Sequence, residues 1–316
     1  MNIARAILFV NASLIVVLLA ACSALPSATV PQVAPSAQVQ PSTGVQYHFV
    51  TNQLLLPATQ AQADAYALNV DGDAGQSKEN LFGKLLTLLT SAAPGLELQG
   101  TLDQAVKDGK LVSLHVVKAD DPLNDPSVSW SIVQGQETQA PPVFDGSDEF
   151  KIDAAAPLNE PMVGTFTAGH FSGGPGASRL RIFLFGQAVD LDFIGLRLEA
   201  DVSANGCANG KLGGGVTVDE FRGKLLPVVA DGLNQVAKAD PTAANILMTA
   251  FDSDRDGSIT VPELEKNPML MLAISPDLDL LDSAGKFNPG QDGTKDSYSV
   301  AMGFTCVPAN FTAPGD

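Results

Sequence analysis

Apolar and polar residues alternate with a period of two along several stretches of the chain. In Ser127–Val133, Val128, Trp130 and Ile132 fall on one face and three serines on the other. Ser178–Phe185 sets Leu180, Ile182 and Leu184 opposite Arg179 and Arg181. The longest alternation runs through Val189, Leu191 and Phe193 and then, past Gly195, through Leu196, Leu198, Ala200 and Val202. Asp190, Asp192, Arg197, Glu199 and Asp201 occupy its opposite face. Near the C-terminus Tyr298, Val300, Met302, Phe304 and Cys306 oppose Ser297, Ser299, Ala301, Gly303 and Thr305, and Lys110–Lys118 alternates as well. Side chains of a strand point to opposite faces in turn, so this pattern predicts antiparallel strands with one buried and one wet face.

Fewer stretches carry a helical period. Leucines at 81, 85, 88 and 89 form a stripe over Glu79–Leu89. Thr217-Val218-Asp219-Glu220 reads as a capping box, with the threonine hydroxyl capping one amide and Glu220 reaching back. It opens a helix to about Lys238 that should kink near Pro227, because proline lacks an N–H and crowds the preceding turn. Asp240-Pro241 reads as a second helix start, an N-cap followed by proline in the first turn. Gly173-Gly174-Pro175-Gly176 reads as a turn, since it has neither the lysine nor the helix of a phosphate loop.

Between the helix opened by Asp240 and a following apolar residue, Leu264, lies Asp252-Ser253-Asp254-Arg255-Asp256-Gly257-Ser258-Ile259-Thr260-Val261-Pro262-Glu263. The segment 240–270, with Phe251 before the loop and Leu264 after it, resembles an EF-hand of the calmodulin type. Calcium is a hard cation that takes six to eight oxygens at about 2.3–2.6 Å. The resemblance implies that Asp252, Asp254 and Asp256 converge on the ion, that the Ser258 carbonyl and Thr260 add ligands, and that Glu263 binds bidentately. Gly257 would take the sharp turn, where φ > 0 is open to glycine. Ile259 would stand where such loops pair with a second loop through a short β contact. Pro262 departs from the pattern and is accommodated if Thr260 caps the outgoing helix. Asn69–Asn80, with Asp71 and Asp73 alternating, is a degenerate loop of the same kind: a weaker second site, the partner of Ile259, or a solvated Asp-Gly turn. These elements define an α+β class, a β-rich antiparallel sandwich or open barrel with added helices and one EF-hand helix-loop-helix.

The N-terminus reads as a processing signal. Met1 and Arg5 supply a short positive end, and the apolar run Ala6–Leu19 is too short to span a bilayer, which needs about 20 residues. Leu19-Ala20-Ala21-Cys22 resembles the lipobox of bacterial lipoproteins. That resemblance implies that residues 1–21 are removed and that Cys22 carries a lipid anchor to the membrane, in the cell envelope with an outer-membrane or surface destination. Residues 22–45, with Pro26, Pro31, Pro35 and Pro41, form a Pro/Ala/Ser-rich tether that cannot bury enough apolar surface to order itself. Residues 46–316 form the globular body. With Cys22 lipidated, Cys207 and Cys306 remain as a plausible disulfide pair in an oxidising compartment.

The charge balance, 35 acids against 18 bases for a net −17, argues against nucleic acid, whose binding relies on clustered Lys and Arg. His48, His115 and His170 have no metal-ligand spacing, and no motif of a hydrolase, metalloprotease or nucleotide-binding protein occurs. Asp190 and Asp192 are the kind of carboxylate pair that serves glycoside chemistry, but any acidic protein offers such pairs. The expected function is therefore calcium binding by a secreted lipoprotein in which the ion is mainly structural and no catalysis takes place. A calcium-dependent adhesin or glycan-binding module and a calcium-dependent hydrolase are the alternatives, with the protein or glycan partner unidentified.

Overall fold

The computed structural model describes residues 44–312 apart from 74, 76, 93–95, 157–159, 269 and 271–274. The signal segment 1–21, Cys22 and nearly all of the tether lie outside the described residues. Eight strands follow one another: β1 (Val45–Leu55), β2 (Ser113–Ala119), β3 (Asp125–Gln134), β4 (Met162–Thr167), β5 (His170–Leu184), β6 (Gln187–Ser203), β7 (Gly206–Thr217) and β8 (Ser297–Pro308). Each pairs antiparallel with the next, and β8 pairs back onto β1, so the ladder closes into a barrel and does not split into two packed sheets or stay open.

The predicted alternation appears in the packing. Val128, Trp130 and Ile132, Leu180, Ile182 and Leu184, and Val189, Leu191 and Phe193 are buried, and all belong to one apolar cluster. Past Gly195 the inward set changes parity, with Leu196, Leu198 and Ala200 buried. Gly195, at φ +63°, lies where the β6–β7 register shifts between Ile194 and Arg197, a bulge whose extra residue turns the strand by one position. On the outer wall Arg179 grips Asp192 at 2.6 and 2.8 Å, and Arg181 grips Asp190 at 2.7 and 2.9 Å. No described helix is long and apolar enough to cross a membrane.

The helices are α1 (Gln60–Tyr66), α2 (Leu81–Ala92), α3 (Leu98–Lys107), α4 (Val218–Glu220), α5 (Leu226–Ala239), α6 (Pro241–Phe251) and α7 (Val261–Lys266). Helix α3 touches both β1 and β5, on opposite sides of the ring, and buries Leu98, Leu102 and Val106 in the same cluster as the barrel interior. It therefore covers an open end. Where proline was expected to kink the helix after Thr217, a π-helical turn over Phe221–Leu225 joins α4 to α5, and Leu226 N–H bonds to Phe221 O, five residues back. The wider turn lets the chain enter α5 with Pro227 in its first turn, where a missing N–H is harmless.

Three expectations are corrected. The outer face of β8 is not wet: Ser297, Ser299 and Ala301 are buried. Strand β1 pairs with β8 only from Gly303 onward, and the earlier amides of Ser299 and Ala301 donate to Asp277 at 2.8 Å and Asn80 at 3.0 Å. Side chains from neighbouring segments thus seal an edge that would otherwise expose backbone donors. The Gly173–Gly176 stretch is not a turn but runs within β5, where the registers shift between Gly173 and Ser178. Glu220 does not return to the Thr217 amide; it accepts from Asp192 N–H at 2.9 Å and Lys224 Nζ at 2.6 Å, which ties the helix to the barrel wall.

A candidate cation loop between two helices

Helix α6 starts as expected: Asp240 caps it by accepting from Thr242 N–H at 2.7 Å, with Pro241 in the first turn. It ends at Phe251, which is fully buried, so Asp252 opens the loop from an anchored position. One carboxylate oxygen from each of Asp252, Asp254 and Asp256 lies within 4.8 Å of the other two. Asp252 is buried, whereas Asp254 and Asp256 are exposed.

Backbone amides hold these carboxylates in place. Asp252 accepts from Asp256 N–H at 3.2 Å and Gly257 N–H at 2.9 Å. Asp254 accepts from Asp256 N–H at 3.1 Å, and Asp256 from Ser258 N–H at 2.9 Å. The chain bends back on itself at Gly257, whose φ of +88° a Cβ would strain. Ser258 and Thr260 follow, both exposed.

Thr260 is the N-cap of α7, with Pro262 in its first turn, so the departure at Pro262 is absorbed as expected. Glu263 is buried but is not one of the three converging carboxylates. Its Oε2 accepts from the Thr260 N–H and hydroxyl, both at 2.9 Å, and its Oε1 from Ser253 N–H at 2.7 Å and Asp254 N–H at 3.3 Å. Burial works against its charge, but these bonds outweigh it and lower the carboxyl from 4.5 to about 2. The structure thus brings the three aspartates together and stations Glu263 beside the same loop, bonded to amides at both ends.

A residue that sequence reasoning missed completes the frame. Asn234, half-buried on α5, bonds to both main-chain polar groups of Ile259, accepting from its N–H at 2.8 Å and donating to its carbonyl at 2.7 Å. An asparagine inside a helical stretch carries no signal of such a role, because its partner is 25 residues away and meets it only through the packing of α5 against α6 and α7.

Among the described residues of Asn69–Asn80, none hydrogen-bonds to Ile259, whose main-chain groups are taken by Asn234. Asn80 is buried and spent on cross-links, accepting from Gly83 N–H and Ala301 N–H and donating to Ala63 O. Asp73 accepts from the Ser77 amide and hydroxyl, and Asp71 from Asp73 N–H, the local bonding of a polar turn. Among the described residues, only the 252–256 aspartates form a set of three with ligand atoms so close.

His115 lies inside the barrel between Thr51 and Trp130, His48 stacks on Phe311, and His170 pairs with Asp201 on the surface at 2.7 Å. Asp190 and Asp192 are held below the usual carboxylate range, chiefly by hydrogen bonds from Arg181 and Arg179, so neither is poised as a proton donor. Cavities of about 360, 460 and 370 Å³ open near Pro141, Gly173 and Leu96, and none is lined by a residue of the acidic loop. A disulfide joins Cys207 to Cys306, which face each other in the β7–β8 register.

No family model, no curated protein and no solved structure matches this chain.

Proposed function

We propose that the protein is a calcium-binding secreted lipoprotein, tethered through Cys22, whose EF-hand-type loop at Asp252–Glu263 takes one ion in a mainly structural role. The observation that carries this reading is the convergence of Asp252, Asp254 and Asp256 within 4.8 Å. Three like charges at that distance repel one another, and a divalent cation relieves the repulsion. The donor set is all oxygen and largely anionic, which suits a hard cation and not the softer nitrogen- and sulfur-seeking metals. The Ser258 carbonyl, Thr260 and Glu263 would complete the coordination of calcium, which accepts more ligands and less regular geometry than magnesium.

The structural role follows from what the loop joins. It connects α6 to α7, both packed on α5, and α5 continues back through the π-helical turn to α4, whose Glu220 bonds to Asp192 of the barrel wall. Binding only to the folded chain would stabilise the whole body by mass action, by about 2.7 kcal/mol at a hundredfold excess over the dissociation constant. Calorimetric titration of the purified protein with calcium and, separately, magnesium tests the reading. We expect one calcium per chain, in the roughly 10⁻⁴–10⁻³ M range of extracellular modules, and weaker magnesium binding. Absence of a calcium isotherm would remove the proposal.

A further inference from the structure

The Asn234 amide does for Ile259 what a neighbouring strand does for a paired residue: one acceptor for its N–H and one donor for its carbonyl, at 2.8 and 2.7 Å. Ile259 is 2% exposed, so its peptide groups have no recourse to water. In calmodulin-type loops, which this segment resembles, a second loop pairs at this position. The other acidic loop of the chain is occupied elsewhere, with Asn80 bonded to Ala301 and Ala63.

We propose that Asn234 takes the place of a partner loop at Ile259, which makes residues 234–266 a self-contained, single-ion site. This rests on the calcium reading and adds to it a stoichiometry, an absence of cooperativity and a positioning residue outside the loop. Such a site needs neither a second loop nor a second copy of the chain.

The physical argument concerns where the ordering cost falls. Ile259 lies between Ser258 and Thr260, in the stretch that links the aspartate set to Glu263. Clamping its peptide groups on both sides removes backbone freedom from that stretch before any ion arrives, so less of the binding energy is spent on ordering it. The clamp is rigid because its base is rigid: Leu233, next to Asn234, is fully buried in the main core. Without the side-chain amide, two main-chain groups are left buried and unpaired, a state the loop can escape only by moving Ile259 toward water.

The test compares wild type, Asn234→Ala and Val229→Ala by calcium calorimetry, sedimentation velocity with and without calcium, and amide exchange at Ile259. Val229 lies on the same helix, buried, and serves as the control for a general loss of stability. Wild type should bind one calcium with a simple hyperbolic isotherm and stay monomeric throughout. Asn234→Ala should bind about tenfold more weakly, with faster exchange at Ile259 in the calcium-free form. Val229→Ala should melt earlier yet keep the wild-type affinity. Unchanged affinity and exchange in Asn234→Ala would overturn the clamp while leaving the calcium reading intact, as would calcium-driven pairing of wild-type chains. A wild type that binds no calcium would overturn both.

Discussion

The Glu263 carboxylate accepts a hydrogen bond from the Ser253 amide at 2.7 Å, so the twelfth residue of the acidic loop is tied to its second. Its other oxygen caps the start of α7 through Thr260. One side chain therefore closes the loop and begins the helix that leaves it. Glu263→Gln keeps the shape but replaces one acceptor oxygen with a donor, which would then face amide donors. Its calcium affinity should fall by at least about tenfold, as titration would show.

The same residue has a pH signature. Its folded-state value near 2 lies below the ordinary 4.5, so its charged form stabilises the fold above about pH 4.5, and that contribution is lost as pH falls toward 2. In calcium-free buffer, Glu263→Gln should flatten the dependence of the denaturation midpoint on pH within that window. An unaltered slope would mean that the bonds to Ser253 and Thr260 do not persist in solution.

Asp252 is the buried member of the aspartate set and also receives the amides of Asp256 and Gly257. Asp252→Ala should abolish the rise in melting temperature produced by calcium, measured by differential scanning fluorimetry over a calcium series. A full calcium response in this variant would place the ion elsewhere.

His115 provides a pH-sensitive point in the core. Trp130 can only donate through its indole N–H, so His115 Nδ1 must accept at 3.0 Å, which leaves Nε2 to donate to the Thr51 hydroxyl at 2.7 Å. Complete burial lowers the ring from 6.5 to about 3. The unfolded chain then binds a proton that the folded chain refuses, so this residue costs stability as pH falls from about 6.5 to 3, by up to about 1.4 kcal/mol per pH unit. Between pH 6.5 and 4.5 this effect is separable from that of Glu263. Denaturant melts of His115→Gln should show a shallower slope there, even though the variant is less stable at pH 7.

The Cys207–Cys306 bond closes a loop of 99 residues that contains α5, α6, α7 and the acidic loop. Replacing both cysteines with serine, or adding reductant, should lower stability by about 2–5 kcal/mol. Denaturant titration measures it, and equal melts with and without reductant would count against the bond.

On the proposed lipid anchor, Cys22→Ser should move the protein from the membrane fraction to the soluble fraction, because stable anchoring takes two or more acyl chains. Retention of the variant in membranes would rule out the lipid anchor.

Strands with two kinds of face were legible because alternation survives translation into structure: Val128, Trp130 and Ile132 read as a buried face and are one. Strand β7 was not legible. Its sequence Gly-Cys-Ala-Asn-Gly-Lys-Leu-Gly-Gly-Gly-Val-Thr has too few side chains to show a period. The space is used by neighbours, for a Cβ at Gly210 would meet the Phe304 ring at 2.6 Å and one at Gly215 would clash with the Leu280 side chain. The wet face expected for β8 failed for a related reason, since small residues such as Ser299 and Ala301 suit a helix packed above them as well as they suit water. Short α1, held by contacts with β8, was not read from the sequence, and neither was α3, although Leu98, Leu102 and Val106 recur along it at a helical spacing.

The sequence alone determined the acidic loop, its two caps at Asp240 and Thr260, and the inward faces of the longer strands, because each depends on residues a few positions apart. Closure of β8 onto β1, the use of Asn80 and Asp277 as edge seals, the pairing of Asp190 and Asp192 with arginines, and the Asn234 clamp on Ile259 were decided only in three dimensions. Hydrogen bonds between distant segments form when packing brings a donor to an acceptor, and no local period in the chain records that encounter.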